Sequence, residues 1–124
     1  IKQALEWVKR TDVACVGIGP TKYNPFLMQH EEVITLADMN KLQSQGAVGD
    51  ISLNFYDCDG NEIDSEFRHR VIGISYEILK TIPRVVGIAG GNDKYQAILG
   101  AVKGKLINTL ITDQVTAQRL IEEK

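Results

Sequence analysis

VVGIAGGNDKYQAILGAVKG, running from Val85 to Gly104, decides the fold. Its first five residues, Val85-Val86-Gly87-Ile88-Ala89, form an apolar run of one strand's length without polar alternation, which predicts a parallel strand buried on both faces. Gly90-Gly91-Asn92-Asp93 breaks the run. Ile98, Ala101 and Val102 then recur at helical spacing, with Tyr95 one turn earlier, until Gly104 stops the pattern. The unit reads strand, glycine turn, helix. Such a turn aims backbone N–H groups and a helix N-terminus at one point, where partial positive charge suits an anion.

Lys94 stands at the unfavourable end of that helix's dipole. Two accounts are open on sequence alone. Asp93 offsets the charge and the ammonium points into water, or Lys94 joins the glycine amides in holding a phosphate or carboxylate. The second fits the tendency of α/β sheets to bind ligands at the carboxyl ends of their strands.

Outward from this unit, Thr109-Leu110-Ile111-Thr112 predicts a further short strand. Thr112 or Asp113 caps a last helix carrying Val115, Ala117, Leu120 and Ile121. Upstream, Ser75 caps a helix to Lys80 that Pro83 ends. Val71–Ile74 is a short apolar piece, and Ser65–Arg70 a charged loop. Ile51, Leu53 and Phe55 alternate with polar neighbours, which predicts one strand with a wet face. Asp59-Gly60 then marks a hairpin turn from which Asn61–Asp64 pairs back. Thr35, with Asp38 three residues on, caps a helix whose Leu36, Met39 and Leu42 form a core stripe ending at Gly46. Glu31–Ile34 fits no element clearly, and Thr21–Phe26 has turn chemistry throughout. Val13–Ile18 is a buried strand containing Cys15 as a small hydrophobe. Ile1–Arg10 reads as a helix tail entered without a cap, which suggests a fragment of something longer. The strand–helix alternation predicts βαβ units, a mostly parallel sheet and a central hairpin that is inserted or at an edge.

The chain has 124 residues, 44% of them hydrophobic and 24% charged, with a net charge of −2. That suffices for one core without disulfides. Mixed charge gives no footprint for nucleic acid. No apolar stretch is long enough to span a membrane, and no signal-peptide pattern opens the chain. The two cysteines, Cys15 and Cys58, make neither a disulfide framework nor a zinc spacing. A reducing, cytoplasmic setting is expected.

Several motifs resolve to bland readings. Gly17-Ile18-Gly19 lacks the third glycine of a dinucleotide fingerprint, and neither glycine turn ends as a P-loop does. Asp57–Glu62 fails the calcium-loop spacing and reads as a solvated hairpin tip. His30 and His69 have no triad or metal partners. Arg68 and Arg70 flank His69 and read as salt-bridge formers. Asp50 is the best acidic candidate. It follows Gly46-Ala47-Val48-Gly49, whose mostly small residues allow close backbone approach, and it is either a sugar-hydroxyl acceptor or an exposed carboxylate on a connector.

Taken in order, Val16-Gly17-Ile18-Gly19, Gly46–Ile51, Phe55-Tyr56-Asp57 with Asp59-Gly60, Arg70–Ile74, Ala89-Gly90-Gly91 with Lys94, and Leu110–Asp113 carry a resemblance over nearly the whole chain. The chain is similar to the effector domain of SorC/DeoR-type bacterial sugar-responsive transcriptional regulators. The resemblance implies an α/β, Rossmann-like fold of the sugar-phosphate isomerase/deaminase kind: a mostly parallel sheet, helices on both faces and an inserted β-hairpin. Residues 1–124 would be a single, partial domain, lacking the N-terminal helix-turn-helix and the first part of the effector domain.

It further implies that a phosphorylated sugar binds and alters both oligomerisation (dimer or tetramer) and the grip of the absent helix-turn-helix on operator DNA. Lys94 and Asp50 match ligand-contacting positions. Gly90, Gly91, Gly19 and Thr21 complete the expected sugar-phosphate site. A Schiff-base lysine found in some members would belong to the absent part, so Lys94 does not inherit that role. No cofactor, metal or catalytic residue is expected, and no membrane partner. The alternatives are a sugar-phosphate isomerase or deaminase with Asp50 as general base, and a purely structural oligomerisation domain.

Overall fold

Parallel pairing forms where the apolar runs predict it. The structure is a computed structural model describing residues 1–22, 24–28 and 34–123. Tyr23, His30 and the Glu31–Val33 part of the ambiguous stretch lie outside the described residues. Strands β1 (Val13–Gly17), β5 (Arg84–Ile88) and β6 (Thr109–Ile111) make a parallel sheet in the order β1-β5-β6. Cys15 faces Val86 across the first pair and Ile88 faces Ile111 across the second.

Between β5 and β6 runs α5 (Tyr95–Lys103), preceded by a 3-10 turn, Asn92–Lys94. The predicted strand–turn–helix unit is therefore present. The α5 helix buries Tyr95, Ala97, Ile98, Leu99, Gly100 and Ala101. Its Ala97, Ile98 and Ala101 share a core with Ile18, Ile51, Tyr56, Val85, Leu106 and Ile107. To that core Leu79 of α4 (Tyr76–Thr81) and the partly buried Leu120 of α6 (Gln114–Glu122) also contribute.

The other face of the parallel sheet is a correction to the expected double burial of its strands. Burial alternates along β1 and β6, and Val13, Cys15, Ile88 and Ile111 on one face are exposed. Cys15 is thus an exposed thiol rather than a buried hydrophobe. A parallel strand is apolar on both sides because both sides are normally covered, and here the described residues cover only one. The remaining helix before the sheet, α1 (Lys2–Val8), buries none of its residues.

A second, antiparallel sheet joins β2 (Gly19–Pro20), β3 (Gly49–Ile51) and β4 (Asn54–Tyr56). The single strand predicted over Ile51–Tyr56 is instead a tight hairpin. Ser52 and Leu53 both have positive φ, 51° and 63°, the two-residue turn whose twist suits paired strands. The alternation of Ile51 and Phe55 survives because the two strands put both into cores. The Asp59-Gly60 turn forms as expected, with Gly60 at φ 78° and Tyr56 bridging Glu62.

Helix α3 (Leu36–Ser44) carries the full capping box. The Thr35 hydroxyl accepts from the Asp38 amide, and the Asp38 carboxylate accepts from the Thr35 amide. Met39 and Leu42 enter a second core with Ile34, Phe55 and Phe67, while Leu36 stays exposed in the first turn. A short helix α2 (Pro25–Met28) precedes it.

Candidate functional site

Three loops meet at the carboxyl ends of the parallel strands: residues 18–20 after β1, 89–94 after β5 and 112–113 after β6. The antiparallel sheet brings a fourth element to the same place. Gly19 of β2 pairs with Asp50 of β3. The contact is close enough that a Cβ on Gly19 would lie 2.5 Å from Asp50 Oδ1. Gly49 lets β3 approach α5, since a Cβ there would lie 2.5 Å from the Ala97 Cβ. The small residues before Asp50 thus serve close backbone packing, as their sizes suggest.

Asp50 is half-buried, and its Oδ2 accepts the Leu53 amide at 3.0 Å, which helps hold the positive-φ turn. Burial pushes its carboxyl up to about 6, opposed by the Leu53 hydrogen bond and by the positive charge of Lys94. Asp50 and Lys94 therefore lie within electrostatic reach of one another. Lys94 borders an open cleft of about 270 Å³, lined also by Gly19, Pro20, Lys22, Asn24, Pro25 and Asp93.

The double glycine sits beside this cleft. Gly91 has φ 98°, which a side chain would resist, and its amide donates to Asp113 Oδ2 at 2.8 Å. Gly90 packs so closely on the same carboxylate that a Cβ would lie 2.6 Å from it. Asp113 also caps α6, accepting from the Thr116 amide at 2.9 Å and hydroxyl at 2.7 Å. The Thr116 amide, then the Gly91 amide and the Thr116 hydroxyl, bring its carboxyl down to about 2. Asp113 thus ties the glycine turn to α6, a role that its capping signal did not reveal. The brace continues through Arg119, which donates to Asn92 Oδ1 at 2.5 Å and lies 3.6 Å over the Tyr95 ring.

Of the expected site residues, the structure gathers Gly19, Asp50 and Lys94, with Gly90 and Gly91 adjoining. Thr21 is only 8% exposed. Its amide donates to Val48 and its carbonyl accepts from Gln43. Its hydroxyl is covered and has no partner among the described residues. Thr21 therefore supports the β2 loop rather than presenting its side chain to the cleft surface. Lys22, the next residue, does reach the cleft and was not anticipated. Its Nζ meets Asp93 Oδ2 at 2.8 Å, a pairing across 71 residues that local patterning does not register.

The salt-bridge and hairpin-tip readings hold elsewhere. Arg68 pairs with Glu62 and Glu77, and Arg70 with Asp38. Asp57 accepts from the Asp59 and Asn61 amides at the hairpin tip. Among the described residues no group of three His, Cys, Asp or Glu side chains could hold a metal, and no helix is long and apolar enough to cross a membrane.

The cleft that Lys94 borders lies at the strand ends, where α/β scaffolds commonly hold polar small molecules. The family described as "Putative sugar-binding domain" matches residues 1–122. The chain belongs to this family, the sugar-binding domain of SorC/DeoR-type transcriptional regulators. It is 37% identical over 123 residues to the transcriptional regulator LsrR of Escherichia coli K12, covering 98% of this chain and 39% of that protein. Among solved structures, a DeoR family transcriptional regulator from Listeria monocytogenes matches with a TM-score of 0.88 and 32% identity, over 97% of this chain and 48% of that one. The full-length sorbitol operon regulator SorC from Klebsiella pneumoniae matches with a TM-score of 0.81 and 30% identity, over 97% of this chain and 38% of that one. The chain thus spans less than half the length of each of these relatives.

Proposed function

We propose that the chain is the effector-sensing part of a cytoplasmic bacterial transcriptional regulator. It binds a phosphorylated sugar in the cleft beside Lys94, and binding alters oligomerisation and the hold of a separate helix-turn-helix on operator DNA. The observation that carries this reading is the placement of Asp50 and Lys94 together at the strand carboxyl ends. Lys94 supplies a charged donor for phosphate, and Asp50, an acceptor when ionised, suits sugar hydroxyls. Gly19, Gly90 and Gly91 let the loops around the cleft pack tightly on Asp50 and Asp113, while Thr21 supports the β2 loop.

Calorimetry on the intact regulator with a panel of sugar phosphates tests the reading. Lys94→Ala is expected to weaken the tightest-binding member by about 1.5–3 kcal/mol, the range for hydrogen bonds to charged groups. Unchanged affinity would remove Lys94 from the site.

One observation favours a second reading. A carboxyl raised to about 6 is tuned as a general base would be, as in a sugar-phosphate isomerase or deaminase. The groups acting on Asp50 are the Leu53 amide and Lys94. The nearby Tyr56 phenol donates to the Ala97 carbonyl at 2.9 Å and is pushed up by burial. Tyr56 is committed to the Ala97 carbonyl, and among the described residues no histidine or second carboxylate acts on Asp50, which favours the sensor. Turnover of ribose 5-phosphate or glucosamine 6-phosphate by the intact protein would reverse that preference.

A further inference from the structure

Lys22 and Asp93 sit on loops that follow adjacent parallel strands, and their side chains meet across the cleft that Lys94 borders. Both are about half exposed, at 52% and 58% of the side chain. An exposed pair of this kind contributes little to stability, so its position calls for another reason. Lys22 holds Asp93's carboxyl below the ordinary range, first through its side-chain hydrogen bond and then through its charge. The cleft therefore holds two lysines, one of them already neutralised by an aspartate on the facing loop.

We propose that Lys22 is a second anion-binding lysine of this cleft and that Asp93 occupies it in the empty state. A doubly charged phosphate bridging Lys22 and Lys94 displaces Asp93 from Lys22. The exchange involves no bond making and asks only that a weak solvated pair give way to charge-assisted hydrogen bonds. It also gives specificity. A neutral sugar offers Lys22 nothing better than Asp93 does, so the pair screens against unphosphorylated ligands. The inference rests on the reading of this cleft as the effector's anionic end.

The test uses the intact regulator and inorganic phosphate as the probe, followed by phosphorus NMR titration at constant ionic strength. Lys22→Gln is expected to weaken phosphate binding about tenfold or more. Asp93→Asn is expected to strengthen it about three- to fivefold, since an exposed competitor has been removed. Most of that gain should vanish in the Lys22→Gln background, because simple repulsion between Asp93 and the anion would persist there whereas competition for Lys22 would not. Equal gains in both backgrounds, no loss from Lys22→Gln, or no detectable phosphate binding to Asp93→Asn would each overturn the proposal. Lys94→Ala separates the two ideas. Phosphate binding that depends on Lys94 but not on Lys22 refutes only the second lysine, whereas binding indifferent to both refutes the site.

Discussion

Replacing Asp50 by asparagine should make this protein more stable and less able to bind sugar. The folded carboxyl titrates at about 6 against an ordinary 3.8. Below 3.8 the group is protonated folded or unfolded, and burial costs nothing extra. As pH rises from 3.8 to 6 the unfolded chain gives up the proton while the folded one retains it, so stability falls. Above 6 the penalty is complete, at about 3 kcal/mol from roughly 1.36 kcal/mol per pH unit of separation. Water at the half-buried carboxylate makes that an upper figure. Asparagine keeps an acceptor for the Leu53 amide and is close in shape, so it sheds the charge without emptying the site. Urea unfolding of wild type and Asp50→Asn across this range should give curves that nearly coincide near pH 4 and separate towards a plateau above about pH 6. The variant should be the more stable by up to about 3 kcal/mol. A difference that does not change with pH, or a variant that is less stable throughout, would refute the account of Asp50 as a desolvated charge held ready for a ligand. Loss of stability at a functional position is the usual cost of such a site.

Asp113→Ala should lower the melting temperature by uncapping α6 and releasing the Gly91 amide. In the wild type, Asp113's contribution should persist above pH 3.8 and fade as pH falls towards 2, because its folded carboxyl is depressed. Thermal melts at stepped acid pH check both. Gly49→Ala forces a methyl group to within 2.5 Å of the Ala97 Cβ and should cost about 1–3 kcal/mol by overpacking, measured by urea unfolding. The same change should also weaken sugar binding by displacing Asp50. A polypeptide of residues 1–124 alone should bind a hydrophobic dye and self-associate through the face bearing Val13, Ile88 and Ile111. Ile88→Lys with Ile111→Lys should reduce both in dye fluorescence and sedimentation.

Features settled within a few residues of chain were legible without coordinates. The caps at Thr35, Ser75 and Asp113 are hydrogen bonds to amides three residues on, so residue type and spacing suffice to find them. The run Val85–Ala89 and the glycines after it determined a strand and a turn, and the helical recurrence from Tyr95 determined the buried face of α5. Only the tertiary structure decided the rest. Ser52-Leu53 is no turn sequence by preference; Asp50's grip on the Leu53 amide and the packing of Ile51 and Phe55 impose it. Cys15 and Ile88 look like core residues because apolarity records what a face is suited to touch, not whether anything touches it here. Lys22 and Asp93, and likewise Gly91 and Asp113, are brought together by the order β1-β5-β6. Pairings across tens of residues depend on which strands are neighbours, and no local periodicity encodes that.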